Sequence, residues 1–166
     1  MKFHDMPYQR VEYDAYRADF EQALETLAKA GSADAQLDAA KALFKLRDTL
    51  ITMSSLCFIR HTINTEDAFY TAENDYYDET NPKFEELNNR FYKALDGSPF
   101  RTELEKVLGP LLFTNIDIAL RSFDEKIIGG MAEENRLSSQ YQKLIASAQI
   151  AFDGKTLNLS QLGASL

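Results

Sequence analysis

The chain has 166 residues, with 26 acidic and 18 basic side chains and a formal net charge of −8. That length suits one domain with a core of its own, and the acidic balance argues against nonspecific binding to nucleic acid, which needs clustered Lys and Arg. The single cysteine excludes an internal disulfide, no apolar run approaches the roughly 20 residues of a membrane span, and the polar start lacks a secretory h-region; a cytoplasmic protein is expected.

Helical periodicity dominates positions 10–148. Tyr13, Tyr16, Phe20, Ala23, Leu24 and Leu27 recur at three- and four-residue spacing, and Gly31 closes the segment. Ser32 is placed to cap a second helix with Asp34 in its first turn, and the apolar stripe there runs Leu43, Leu46, Leu50, Met53, Cys57. Thr65 before Glu66 and Asp67 predicts the N-cap of a third helix after a break near Asn64, with one continuous helix as the alternative. Phe69, Tyr76, Phe84, Leu87, Phe91 and Leu95 mark its packing side, and Pro82 either kinks it or starts a second piece. Ser98 and Pro99 predict the cap and first position of a fourth helix, stopped by Gly109-Pro110. Two short helices are expected over 110–121 and 124–132, the second loosened by Gly129-Gly130. Leu137, Tyr141, Leu144, Ile145 and Ala148 mark one more amphipathic helix.

The pattern changes at 149–159. Ile150 and Phe152 alternate, Asp153-Gly154 supplies a hairpin turn, and Thr156, Leu157 and Leu159 form the return. Ser160 reads as the N-cap of a helix that the sequence barely begins, as expected of a piece of a longer chain. The predicted fold is all-α: a multi-helix, antiparallel, bundle-like single domain over 1–166 with a small β-hairpin near its C-terminal end.

The stretch "CFIRHTINTEDAFYTAENDYYDE", Cys57 to Glu79, is the segment richest in candidate chemistry. A zincin needs His-Glu-x-x-His, but His4 and His61 stand far apart and neither is followed by Glu. A Glu-x-x-His di-iron pair fails because Phe58 stands three before His61, and an EF-hand from Asp75 fails at Tyr77 and Thr80. Cys57 and His61 share a helix face, which allows a thiol–imidazole pair, but Cys57 also completes the apolar stripe and reads first as a core thiol. Glu66, Asp67, Glu73, Asp75, Asp78 and Glu79 read as a solvated helix face, since no convergence of two carboxylates is visible. Glu133-Glu134-Asn135 reads as a helix-end feature. Arg60 and His61 are the residues most worth testing against a peptide, with Tyr70 and Tyr77 behind them; interhelical packing is the alternative for all four.

The segments "RHTINTEDAFYTAENDYYDETNPKFEELNNRFYKAL", "SPFRTELEKVLGPLLF" and "EENRLSSQYQKLIASAQIAFDGKTLNLSQL" together carry a resemblance covering nearly the whole chain from "MPYQR" onward. In order and spacing the chain resembles the N-terminal region of the oligoendopeptidase F family, the thimet-type zinc oligopeptidases of bacteria. The resemblance implies a parent enzyme that hydrolyses short peptides, with its zinc bound outside this chain by His-Glu-x-x-His and a later Glu. No catalytic or metal residue is therefore expected in this chain, which alone should be inactive and should act as one wall of a substrate channel lined in part by Arg60, His61, Tyr70 and Tyr77. The implied partners are the catalytic domain of the same polypeptide and short peptides, and the isolated chain is expected to self-associate. A stand-alone helical interaction module without enzymatic activity is the alternative.

Overall fold

Three helices make the frame: α1 (Tyr13–Lys29), α2 (Ala33–Ile63) and α3 (Ala68–Asp96), each packed on the other two. The computed structural model describes residues 3–164, and of Ser160 only the backbone. Short connections fold each helix back along its predecessor, as short helix–helix loops do. Tyr16, Phe20 and Leu27 from α1 meet Leu43 and Cys57 from α2 and Phe84, Leu87, Phe91 and Leu95 from α3. Two further helices, α4 (Arg101–Leu108) and α5 (Pro110–Ser122), close the core with Leu104, Phe113 and Ile116. The expected stripes of α1 and α2 lie on this core except for Met53, which is half-buried and accepts from the Gln9 amide instead. On α3 the stripe holds from Phe84 to Leu95, whereas Phe69 is 56% exposed.

Local capping moves several boundaries. Ser32 Oγ accepts from the Ala35 N–H, so α2 starts where the sequence predicts. The third helix breaks from α2 at Asn64, but its cap is Asp67 and not Thr65: Asp67 Oδ1 accepts from the Phe69 and Tyr70 amides at 2.9 and 3.1 Å. A carboxylate there also meets the positive end of the helix dipole, which a threonine hydroxyl does not exploit as well. Ser98 Oγ accepts from the Phe100 amide at 2.9 Å, but it caps a turn, and α4 begins only at Arg101. Gly109, with φ at 91°, occupies the left-handed region between α4 and α5, a conformation that favours glycine.

Pro82 neither breaks α3 nor splits it. It lies fully buried inside one continuous 29-residue helix. A proline cannot donate to the carbonyl four residues earlier, which here belongs to Asp78. That carbonyl accepts instead from Asn135 Nδ2, at 3.4 Å, on the neighbouring helix α6 (Ile128–Ala146).

The two elements expected at 124–132 and 137–148 are one. A 3-10 turn at Glu125–Ile127 leads into α6, which runs unbroken through Gly129-Gly130. Glu133, Glu134 and Asn135 thus sit inside a helix rather than at its end, Glu133 paired with Arg136. The side of α6 toward α3 is mixed: Ile128, Met131, Ala132, Asn135, Ser139 and Lys143 are half-buried. The predicted apolar stripe points outward, with Leu137, Tyr141 and Leu144 at 51%, 64% and 69% exposure.

The hairpin forms as predicted, from β1 (Ile150–Phe152) and β2 (Lys155–Leu157) in register Ile150↔Leu157, Ala151↔Thr156, Phe152↔Lys155. Asp153 and Gly154 both take positive φ, 47° and 71°, the primed-turn geometry whose twist matches paired strands. The final helix α7 (Leu159–Gly163) is capped by Asn158, whose Oδ1 accepts from the Gln161 amide while Gln161 Oε1 accepts from the Asn158 amide. That reciprocal pair is a capping box. Ser160 lies inside α7 rather than at its cap; its side chain is outside the described residues. Among the described residues, no helix is long and apolar enough to cross a membrane.

Candidate functional site

The face of α2 and α3 that carries the candidate residues is covered by an extended N-terminal segment, residues 6–12. Arg60 Nη2 donates to the Met6 carbonyl at 2.6 Å and Nη1 donates to the Tyr70 hydroxyl at 2.7 Å. Tyr70 packs edge-on against Tyr8 and Phe69, with ring centroids 5.6 and 5.0 Å away. The Tyr77 hydroxyl accepts from the Val11 amide at 3.2 Å, and the Tyr77 ring is buried. Tyr76 does the same one step along, accepting from the Tyr13 amide and donating to the Val11 carbonyl. Hydroxyls from α3 therefore satisfy the polar backbone of a segment that makes no regular structure, which buried backbone groups require.

Glu73 is the centre of this seam. Its side chain is only 6% exposed, accepts from the Tyr8 hydroxyl at 2.5 Å and takes a two-point ion pair from Arg10 Nε and Nη2. The Arg10 guanidinium holds the Glu73 carboxyl below the usual carboxylate range, against the opposing effect of burial. Burial and the bond to Glu73 push the Tyr8 hydroxyl far above its ordinary value. The guanidinium also lies over the Tyr76 ring, 4.5 Å from its centroid. Glu73 thus departs from the reading of these acids as a solvated helix face. Its place was visible in the spacing Glu73, Tyr77, Thr80, Phe84, Leu87, which continues the core stripe backward. Nothing in the sequence near Glu73 announced Tyr8 and Arg10 as its partners.

His61 and Cys57 lie under the same seam. His61 is 2% exposed, its Nδ1 lies 3.4 Å from Thr71 Oγ1, and burial followed by the nearby Lys143 charge lowers its pKa. Both effects favour the neutral imidazole. Cys57 is 1% exposed, and burial pushes its thiol up to about 11. A thiol so protonated is a poor nucleophile. Native protein should react with a thiol reagent orders of magnitude more slowly than protein unfolded in denaturant; equal rates would show that Cys57 is accessible.

On the other side of α3 an open cleft of about 500 Å³ separates it from α6. Asp75, Asp78 and Glu79 line it from α3, and Glu133, Arg136, Ser139 and Lys143 from α6. Lys143 Nζ pairs with Asp75 at 2.9 Å, and Asn74 Nδ2 donates to both Asp78 Oδ2 and Ser139 Oγ at 3.2 Å. Burial raises the Asp78 pKa despite its bond to Ser139. The structure thus gathers Arg60, Tyr70 and Tyr77 around the N-terminal segment, buries His61 between that seam and the cleft, and brings none of the four together with a second catalytic group. Among the described residues no three His, Cys, Asp or Glu side chains are arranged to hold a metal ion, so the residues present do not fit a zinc site.

A family model described as Peptidase M3 N-terminal domain matches residues 3–123, and the chain belongs to that family. Its whole length is also similar to solved structures. A provisionally assigned oligoendopeptidase F is 44% identical with a TM-score of 0.95, over 99% of this chain and 29% of that one. A PZ peptidase A solved with an inhibitor is 40% identical, TM-score 0.95, over 98% and 29%. A provisionally assigned oligoendopeptidase F from Bacillus anthracis str. Ames is 38% identical, TM-score 0.94, over 98% and 30%. The chain thus spans under a third of the proteins it matches. No curated protein matches it.

Proposed function

We propose that this chain is the N-terminal helical part of a zinc metallo-oligoendopeptidase acting on short peptides, and that it contributes one wall of the substrate channel. The observation that carries the reading is the 40% identity over 98% of the chain to a PZ peptidase A solved with an inhibitor. Zinc and the groups that activate water belong to the remainder of the polypeptide in this reading, since the described residues offer a sealed thiol, a buried imidazole and no metal-ligand cluster. Its contribution is positioning and exclusion. A rigid helical wall holds an extended peptide in one orientation and keeps folded proteins out, which lowers the entropic part of the barrier without bond chemistry.

Within that wall, Arg60 and Tyr70 are the partly exposed candidates, while His61 and Tyr77 are buried. A cytoplasmic location accords with the lone, unpaired Cys57. The test is hydrolysis of short quenched fluorescent peptides by the longer polypeptide and by the 166-residue chain. Activity is expected only in the longer polypeptide, abolished by chelation and restored by zinc. Hydrolysis by the short chain, or activity that survives complete metal removal, overturns the reading. Inert proteins in both arms would leave the helical interaction module.

A further inference from the structure

We infer that residues 124–164 form a hinged arm, packed on α3 at the edge of the helical core, whose outer apolar face is covered by the remainder of a longer polypeptide. Four independent observations carry this. The N-terminal domain model stops at 123, just before the 3-10 turn that leads into α6. The buried core draws on no residue beyond Ile116, and the half-buried side chains packed on it end at Leu120. No described α6 side chain is fully buried. Its seam with α3 is extensive but mixed, with half-buried Ile128, Met131 and Ala132 beside the polar ties of Asn74 to Ser139, Asn135 to the Asp78 carbonyl and Lys143 to Asp75. A half-buried, partly polar seam is worth less per residue than fully buried apolar area, so α6 can part from α3 at a lower cost than opening the core.

The glycine pair supplies the pivot. A Cβ at Gly129 or Gly130 would meet nothing within 4 Å, and neither residue has positive φ. Space and backbone conformation therefore give no reason for glycine, although each one weakens a helix by about 0.5–1 kcal/mol relative to alanine. What the pair does supply is a pliable first turn for α6, at the edge of the α3/α6 cleft that Gly129 itself lines.

The outward stripe identifies the occupant. Leu137, Tyr141 and Leu144 follow helical spacing on a face left largely open, at 51–69% exposure. Relatives that superpose on 98–99% of this chain have chains more than three times as long, so most of each lies outside the matched region. That remaining polypeptide is the partner fitting an apolar stripe next to a polar cleft. The choice of occupant rests on the proposed peptidase reading; the separability of the arm does not.

Hydrogen exchange read by mass spectrometry, on the 166-residue chain and on the longer polypeptide, tests both parts. In the short chain, amides of 128–146 should exchange on the order of a hundredfold faster than those of α1 and 84–95. Gly129→Ala with Gly130→Ala should slow the arm about tenfold and leave the core unchanged. In the longer polypeptide the arm should reach core-like protection, and Leu144→Asp, an exposed position that leaves folding intact, should undo it. Exchange of the arm in step with the core in the short chain removes the hinge. An arm that stays fast in the longer polypeptide removes the assigned occupant. A peptide-hydrolysis assay on the same longer polypeptide reads the functional proposal separately.

Discussion

Phe91→Ala should lower folding stability by about 3–5 kcal/mol, the range for emptying a large aromatic site in a core. Phe91 is fully buried on α3 and its ring meets Phe20 of α1 edge-on at 6.3 Å and Phe44 of α2 at 5.1 Å. From α3 it thus touches both of the other long helices, so no single helix can shift to fill the space. Phe91→Leu keeps most of the volume and should cost much less. Denaturant unfolding of the two variants checks this. A loss below about 1 kcal/mol for alanine would mean that the three-helix junction collapses onto the cavity.

Arg10→Ala should be nearly as damaging, at about 3 kcal/mol, because it leaves the Glu73 carboxylate buried without its cation. Glu73→Gln should cost less, since Arg10 is 34% exposed and can rehydrate, while the amide still accepts from Tyr8. The pair also fixes a pH dependence. The folded pKa of Glu73 is lowered, so its contribution is fully present above the ordinary glutamate value of about 4.3 and is lost as pH falls from there through the folded value. The wild-type protein should therefore lose stability on acidification over that window more steeply than Glu73→Gln does. Thermal unfolding at a series of acidic pH values measures it, and parallel curves for the two proteins would remove Glu73 as the source.

Much of the fold was legible because its signals are local. The three- and four-residue spacing from Tyr13 to Leu27, the stop at Gly109-Pro110 and the turn at Asp153-Gly154 each act within a few residues. The places where local reading failed have one cause, a distant partner. Pro82 stays inside one continuous helix, and Asn135 supplies the missing donor from 57 positions along. Glu73 is buried because Tyr8 and Arg10 arrive from more than 60 residues away. The α6 stripe was correctly periodic, but periodicity says only that a face is apolar, not what meets it.

The sequence by itself determined the helical class, the hairpin and the absence of any familiar metal-binding spacing, since these depend on residue type and short-range order. Its resemblance to the oligoendopeptidase family agrees with the family and structure matches. Only the tertiary structure decided which polar groups are sealed and which face of α6 stays open. Burial and pairing are set by where remote segments dock, and a carboxylate in water has the same letter as one locked against an arginine.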